Sequence, residues 1–292
     1  MFQTLSESWR ISKTAFRMIK EDKALLLFPV VSALALIGIV ILLAVSSFLV
    51  IFSSIQSGTD KDALIAIIWI TGYFMLWFVH TFFSAALINA SMIKLNGQQA
   101  SFSDGIEGAK SQWKKIFLWA IFAGTVGIII NIIASKLKGF GKLILSIAAG
   151  AVWGIATYFI LPVLLYENLS AWQSLKRSAS IYWNNFGNTF ISNMIVNAII
   201  IGGVLGGIVM VVAGIFITAH TFLLGIVLIL AGVVLAAISV LIGSAVNGVL
   251  IAALYKYATT GKLEEGLVPS HYVGKANPYI GQGPYVGQGP TF

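Results

Sequence analysis

The chain contains no cysteine. Disulfides, thiol nucleophiles and thiolate-bound metals are therefore excluded. Acidic side chains are also scarce, with 10 Asp and Glu against 18 Lys and Arg in 292 residues. Charged residues make up 10% of the chain, where a soluble domain carries about 25%. So few charges cannot coat a water-exposed surface. Between Arg177 and Lys256 there is no Asp, Glu, Lys or Arg, and His220 is the only ionisable group there apart from tyrosines. This composition predicts an all-α, polytopic membrane protein.

What fills the space is apolar: 58% of residues are hydrophobic, and the mean hydropathy is +0.93. A spanning helix needs about 20 apolar residues. Six runs qualify: Ala24–Ser54, Ala63–Ile93, Ile116–Ser135, Leu143–Tyr166, Thr189–Ile217 and Thr221–Leu254. Only the weak polar break "ITAHT" separates the last two. The first run follows a polar stretch and is far longer than the roughly 7–15 residues of a signal-peptide core, so no cleavable signal is expected.

The net charge of +8 would suggest nucleic acid in a soluble protein. Here it reads as the bias that keeps Lys and Arg on the cytoplasmic side of spans, and no nucleic-acid partner is expected. Five basic residues precede the first run, four lie at 94–115, two at 170–187 and three follow the last run. Opposite stand only Lys61, Lys136, Lys138 and Lys142. Both chain ends are thus expected in the cytoplasm, with the protein in the cell membrane. The lysines of "SKLKGFGK" depart from that bias and read as a solvated cluster.

Three polar segments, each ahead of a pair of spans, share a pattern. They are "TLSESWRISKTAFRMIK", "SFSDGIEGAKSQWKKIF" and "SAWQSLKRSASIYWNNF". Each opens with Ser or Thr and has an acid or amide three residues on: Thr4/Glu7, Ser101/Asp104 and Ser170/Gln173. That is capping-box spacing, in which two side chains satisfy each other's free backbone donors at a helix start. Five residues from each cap stand Trp9, Ile106 and Leu175; eight on, Ser12, Ala109 and Ser178; twelve on, Phe16, Trp113 and Tyr182. Steps of three and four place these on one helical face. The pattern predicts three repeats of a basic amphipathic helix plus a membrane hairpin, with interfacial helices at about 4–20, 101–115 and 170–186 lying along the inner leaflet. Lipid-interface candidates are Trp9, Arg10, Lys13, Arg17, Lys110, Trp113, Lys114, Lys115, Lys176, Arg177 and Trp183. One membrane domain is expected over 1–262, followed by a Gly/Pro/Tyr-rich tail at 263–292.

The stretches "WRISKTAFRMIKEDKALLLFP", "SAALINASMIKLNGQQASFSDGIEGAKSQWKKIFLWAI" and "LPVLLYENLSAWQSLKRSASIYWNNFG" resemble an uncharacterised prokaryotic family of six-helix membrane proteins. More distantly, they resemble the membrane domain of glycerophosphoryl diester phosphodiesterases. The resemblance implies a fold class. It implies no reaction, because the nearer group has no assigned activity and no phosphodiesterase domain is apparent.

Chemistry inside the spans is sparse. A charge in a bilayer persists mainly where it is used, and the six cores contain none. His80 is the one ionisable side chain well inside a span, and it reads best as a structural histidine. Asn89, Asn131, Asn193, Asn197 and Asn247 read as interhelical hydrogen-bonding groups; Asn193 and Asn197, with His80, would line a polar pathway if one exists. Glu167 is expected to anchor the third amphipathic helix by pairing with a basic residue such as Arg177. Gly202/Gly206, Gly203/Gly207 and Gly150/Gly154 have the spacing of close-packed membrane helices, within the chain or between copies. In the tail, Tyr279 and Tyr285 recur in "PYIGQGPYVGQGP" and form a candidate docking motif for a partner. No cofactor, metal or catalytic set is expected. The sequence points to a non-enzymatic membrane scaffold or partner-binding subunit, in contact with lipids and with homo-oligomers open. The alternative is a transporter or channel for a lipid-like or apolar small molecule.

Overall fold

The computed structural model describes residues 17–57, 61–137, 139–185 and 190–260. These form helices and no strand. The helices are α1 (Ala24–Ser57), α2 (Asp62–Leu95), α3 (Phe102–Ser111), α4 (Trp113–Ser135), α5 (Phe140–Thr157), α6 (Ile160–Tyr166), α7 (Ala171–Asn185), α8 (Phe190–Thr218) and α9 (Phe222–Thr260). Among the described residues six stretches are long and apolar enough to cross a membrane, with α5 and α6 together supplying the fourth. The chain is thus a multi-pass, membrane-type helical protein. At 1.5 Å per residue, α1 and α2 run about 51 Å, well beyond a hydrocarbon core of about 30 Å.

The predicted spans meet these helices with three differences. First, the fourth is not continuous. Pro162 has no N–H to offer the Tyr158 carbonyl, and its ring crowds that carbonyl. The helix breaks at Tyr158–Phe159, and the freed Phe159 N–H donates to the Ser178 hydroxyl at 3.0 Å. Second, the expected helix at 101–115 stops at Ser111. Gln112, with φ −112° and ψ 19°, turns the chain, and Trp113, Lys114 and Lys115 become the first turn of α4. Third, the last helix runs on to Thr260.

The "ITAHT" break is a tight turn, where the N–H groups of His220 and Thr221 both donate to the Ile217 carbonyl. It returns α9 along α8 at glycine contacts. A Cβ on Gly207 would lie 2.5 Å from the Gly232 carbonyl oxygen, and one on Gly214 would lie 2.7 Å from that of Gly225. Gly203 packs on Ser239. The other predicted glycines behave differently. Gly206 makes only ordinary contact with Leu235, and Gly202, Gly150 and Gly154 face open space. Spacing alone marks a small stripe; what lies across from it depends on how the helix is rotated.

Two compact units divide the chain: Val30–Ala90 with Ala100–Trp183, and a second that includes 17–29, Ser91–Gln99 and 190–260. Within each long helix, burial is uneven. In α2, Ala85–Ile88 are buried while Leu64, Ile67, Trp69 and Ile70 are exposed. In α4, Ile116, Trp119 and Ala120 are buried and Ile128–Ile129 exposed; in α9, Val249–Leu250 are buried and Phe222–Leu224 exposed. In these three helices most of the buried side chains lie at the end next to the Lys/Arg-rich segments. In the first unit its centre is Trp119, Ala123, Ile160 and Leu164, with Phe122, Trp153 and Leu175 around them. Trp119 and Trp153 stack there at 5.9 Å with planes 6° apart.

Candidate functional site

At that buried end of the first unit, polar groups tie the two amphipathic helices to the spans. α3 begins at a formed capping box. Asp104 N–H donates to the Ser101 hydroxyl at 3.2 Å, and Ser101 N–H donates to Asp104 Oδ2 at 2.8 Å. The Ser101 hydroxyl also donates to Asp104 Oδ2 at 2.6 Å, and this bond, with the one from the Ser101 N–H, holds the Asp104 carboxyl below its usual 3.8. α7 repeats the device: Ser170 N–H and hydroxyl donate to Gln173 Oε1 at 3.1 and 2.9 Å, and Gln173 N–H returns to Ser170 Oγ at 3.5 Å. The box at Thr4/Glu7 lies outside the described residues.

Asn89 joins three helices. From α2, its Nδ2 donates to the Asp104 carbonyl of α3 at 3.0 Å, and its Oδ1 accepts from the Tyr166 hydroxyl of α6 at 2.8 Å. Gly108 lies flat against the Asn89 amide, where a Cβ would overlap it. Glu167 caps α6 and meets Arg177 of α7. Arg177 Nε donates to both carboxylate oxygens, at 3.2 and 3.1 Å. Glu167 is 14% exposed and Arg177 34%, so the pair is only partly screened by solvent. Lys115 donates to the Glu167 carbonyl at 3.4 Å.

The small position of the repeat pattern has a structural meaning. Ala109 and Ser178 are both fully buried, and small side chains let α3 and α7 lie close to their neighbours. The aromatic position diverges. Tyr182 is buried against Tyr158 at 5.6 Å between ring centroids, whereas Trp113 is 48% exposed. Burial also raises the Tyr182 phenol above its usual value.

A profile described as "Family of unknown function (DUF6159)" matches residues 61–265. This chain belongs to that family. The DUF6159 stretch takes in α2 to α9, with Asn89, Asp104, Tyr166, Glu167 and Arg177 among them; α1 and the first predicted amphipathic segment precede it. No curated protein and no solved structure matches the chain.

The remaining sequence-predicted residues of this DUF6159 member fall as follows. Trp9, Arg10, Lys13, Tyr279 and Tyr285 lie outside the described residues, as does the side chain of Asn193. Arg17, Lys110, Lys114 and Lys176 are exposed. His80 and Asn197 are each exposed on their own helices. His80 stands 15 residues before the end of α2, about 22 Å along it. The Glu167–Arg177 pair and the interhelical bonding of Asn89 form as the sequence led one to expect. Sequence reasoning missed Tyr166 and Gly108. A tyrosine adjoining Glu167 at the end of an apolar run was a usable signal for the first. The role of Gly108 depends on what faces it, which a single sequence does not carry.

Proposed function

We propose that this protein is a non-enzymatic membrane scaffold or partner-binding subunit of the cell membrane, with both chain ends in the cytoplasm and its amphipathic helices along the inner leaflet. One observation carries the reading: Glu167, Arg177 and Asn89, at the buried helix ends, are taken up by bonds to neighbouring helices. Glu167 is engaged by Arg177, and Asn89 uses both its amide donor and its carbonyl on neighbouring helices. Such groups fix helix positions and present a defined surface. The distribution of Lys and Arg supports the orientation, and two formed capping boxes in matching places support the repeat of amphipathic helix plus hairpin.

The test is crosslinking in native membranes followed by isolation of the full chain. The expected result is a reproducible protein partner or a second copy, lost when residues 276–292 are deleted or when Lys110 and Lys114 are neutralised. A chain that is monomeric, with no partner in any of these forms, would overturn the reading.

A further inference from the structure

The two described amphipathic helices present different outer surfaces. On α3 the exposed side carries Ser103, Asp104, Glu107, Lys110 and Ser111, two carboxylates against one ammonium. On α7 there is no acid. Its inner side is Ser174, Ser178, Ile181 and Tyr182, all buried. Opposite stand Trp172, Lys176 and Trp183. At 3.6 residues per turn these three fall within about 40° of arc, and the two indoles are about 16 Å apart along the axis. Trp172 is 56% exposed and Trp183 73%. The Lys176 ammonium lies 5.4 Å from the Trp172 ring centroid. Arg177, next in sequence, is turned away onto Glu167.

Indole rings have an apolar body and a polar N–H, and they settle at the headgroup level of a bilayer. A lysine between two such rings meets the phosphates of anionic lipids at the same level. The same negative surface repels the carboxylates of α3. We infer that the outer face of α7 docks on an anionic glycerophospholipid leaflet. Trp172 and Trp183 insert among the glycerol backbones, Lys176 binds a lipid phosphate between them, and α3 stays turned to water. This rests on the reading that the amphipathic helices lie along the membrane, and it assigns that contact to one of them.

The full chain is reconstituted in phosphatidylcholine vesicles with and without phosphatidylglycerol, using brominated acyl chains in a parallel set. W172F and W183F are each expected to remove a tryptophan emission component that brominated lipid quenches; W119F, in the buried stack, removes one that it quenches weakly. K176Q is expected to lower the preference for phosphatidylglycerol about fivefold, read as lipid retained in native mass spectrometry, while the charge-conserving K176R keeps it. Lys176 is exposed, so K176Q reads the contact even if a tryptophan variant folds poorly. Two results would overturn the inference: emission from Trp183 quenched by aqueous iodide and not by brominated lipid, or a preference for phosphatidylglycerol kept in full in K176Q. Either outcome leaves the scaffold reading standing, since partner capture tests that separately.

Discussion

The two ends of a single helix such as α2 teach different things. Toward Leu95 it is buried, carries Asn89 and touches α3 and α6 through named hydrogen bonds. Toward Asp62 it is lined by exposed Leu64, Ile67, Trp69 and Ile70. In lipid an apolar side chain gains little from burial against another helix, so packing depends on close contact and hydrogen bonds. The fold's specificity is therefore concentrated where small residues and polar groups occur together, at the charged helix ends and along the glycine seam of α8 and α9. The rest of each span has only to be long and apolar.

Substitutions at the packed and the exposed positions separate these contributions. The largest effect is expected at the seam, where Gly207→Val drives a branched side chain into the Gly232 carbonyl. The loss should be about 3 kcal/mol, seen as a fall in thermal stability in detergent. Next is Glu167→Gln, which removes the charge opposite Arg177 in a half-buried place and leaves a single oxygen to accept from its Nε. A loss of about 1–2 kcal/mol is expected, reduced from a fully buried pair by solvent screening. Asn89→Ala and Tyr166→Phe should each cost about 1 kcal/mol and be non-additive, because both delete the same hydrogen bond. A smaller, local effect follows from Asp104. Its carboxyl is depressed in the folded state, so its contribution is present above the unfolded value of 3.8 and is lost as pH falls through the folded value. Amides at 101–105 should exchange faster on acidification below that range, and Asp104→Asn should flatten the pH dependence. The smallest effect is expected at Gly150→Leu, which meets nothing within 4 Å and should change stability by less than about 0.5 kcal/mol. A large loss there would show that the exposed half of α5 is packed after all.

Much of this was legible in the sequence. The six apolar runs, the Ser101/Asp104 and Ser170/Gln173 boxes and the pairing of Glu167 with Arg177 follow from hydropathy, cap spacing and a lone acid near a basic helix. The break at Tyr158–Phe159 was readable in principle from Pro162, but an apolar run conceals it from hydropathy alone. What stayed hidden depends on helix rotation. Gly202/Gly206 and Gly203/Gly207 have the same spacing, yet only the second pair meets another helix closely. Trp113 and Tyr182 occupy the same place in the repeat pattern, yet one faces outward and one inward. A single sequence gives the stripe and leaves its partner unspecified.

α7 folds back against the end of α6, which brings positions 167 and 177 side by side. Because the chain has no native cysteine, the double variant E167C/R177C tests this in intact membranes with a short bifunctional thiol reagent. Rapid intramolecular crosslinking is expected, seen in the intact mass as one spacer joining two thiols rather than two singly attached reagents. If each single cysteine labels readily but the pair never crosslinks, α7 is not where the structure puts it.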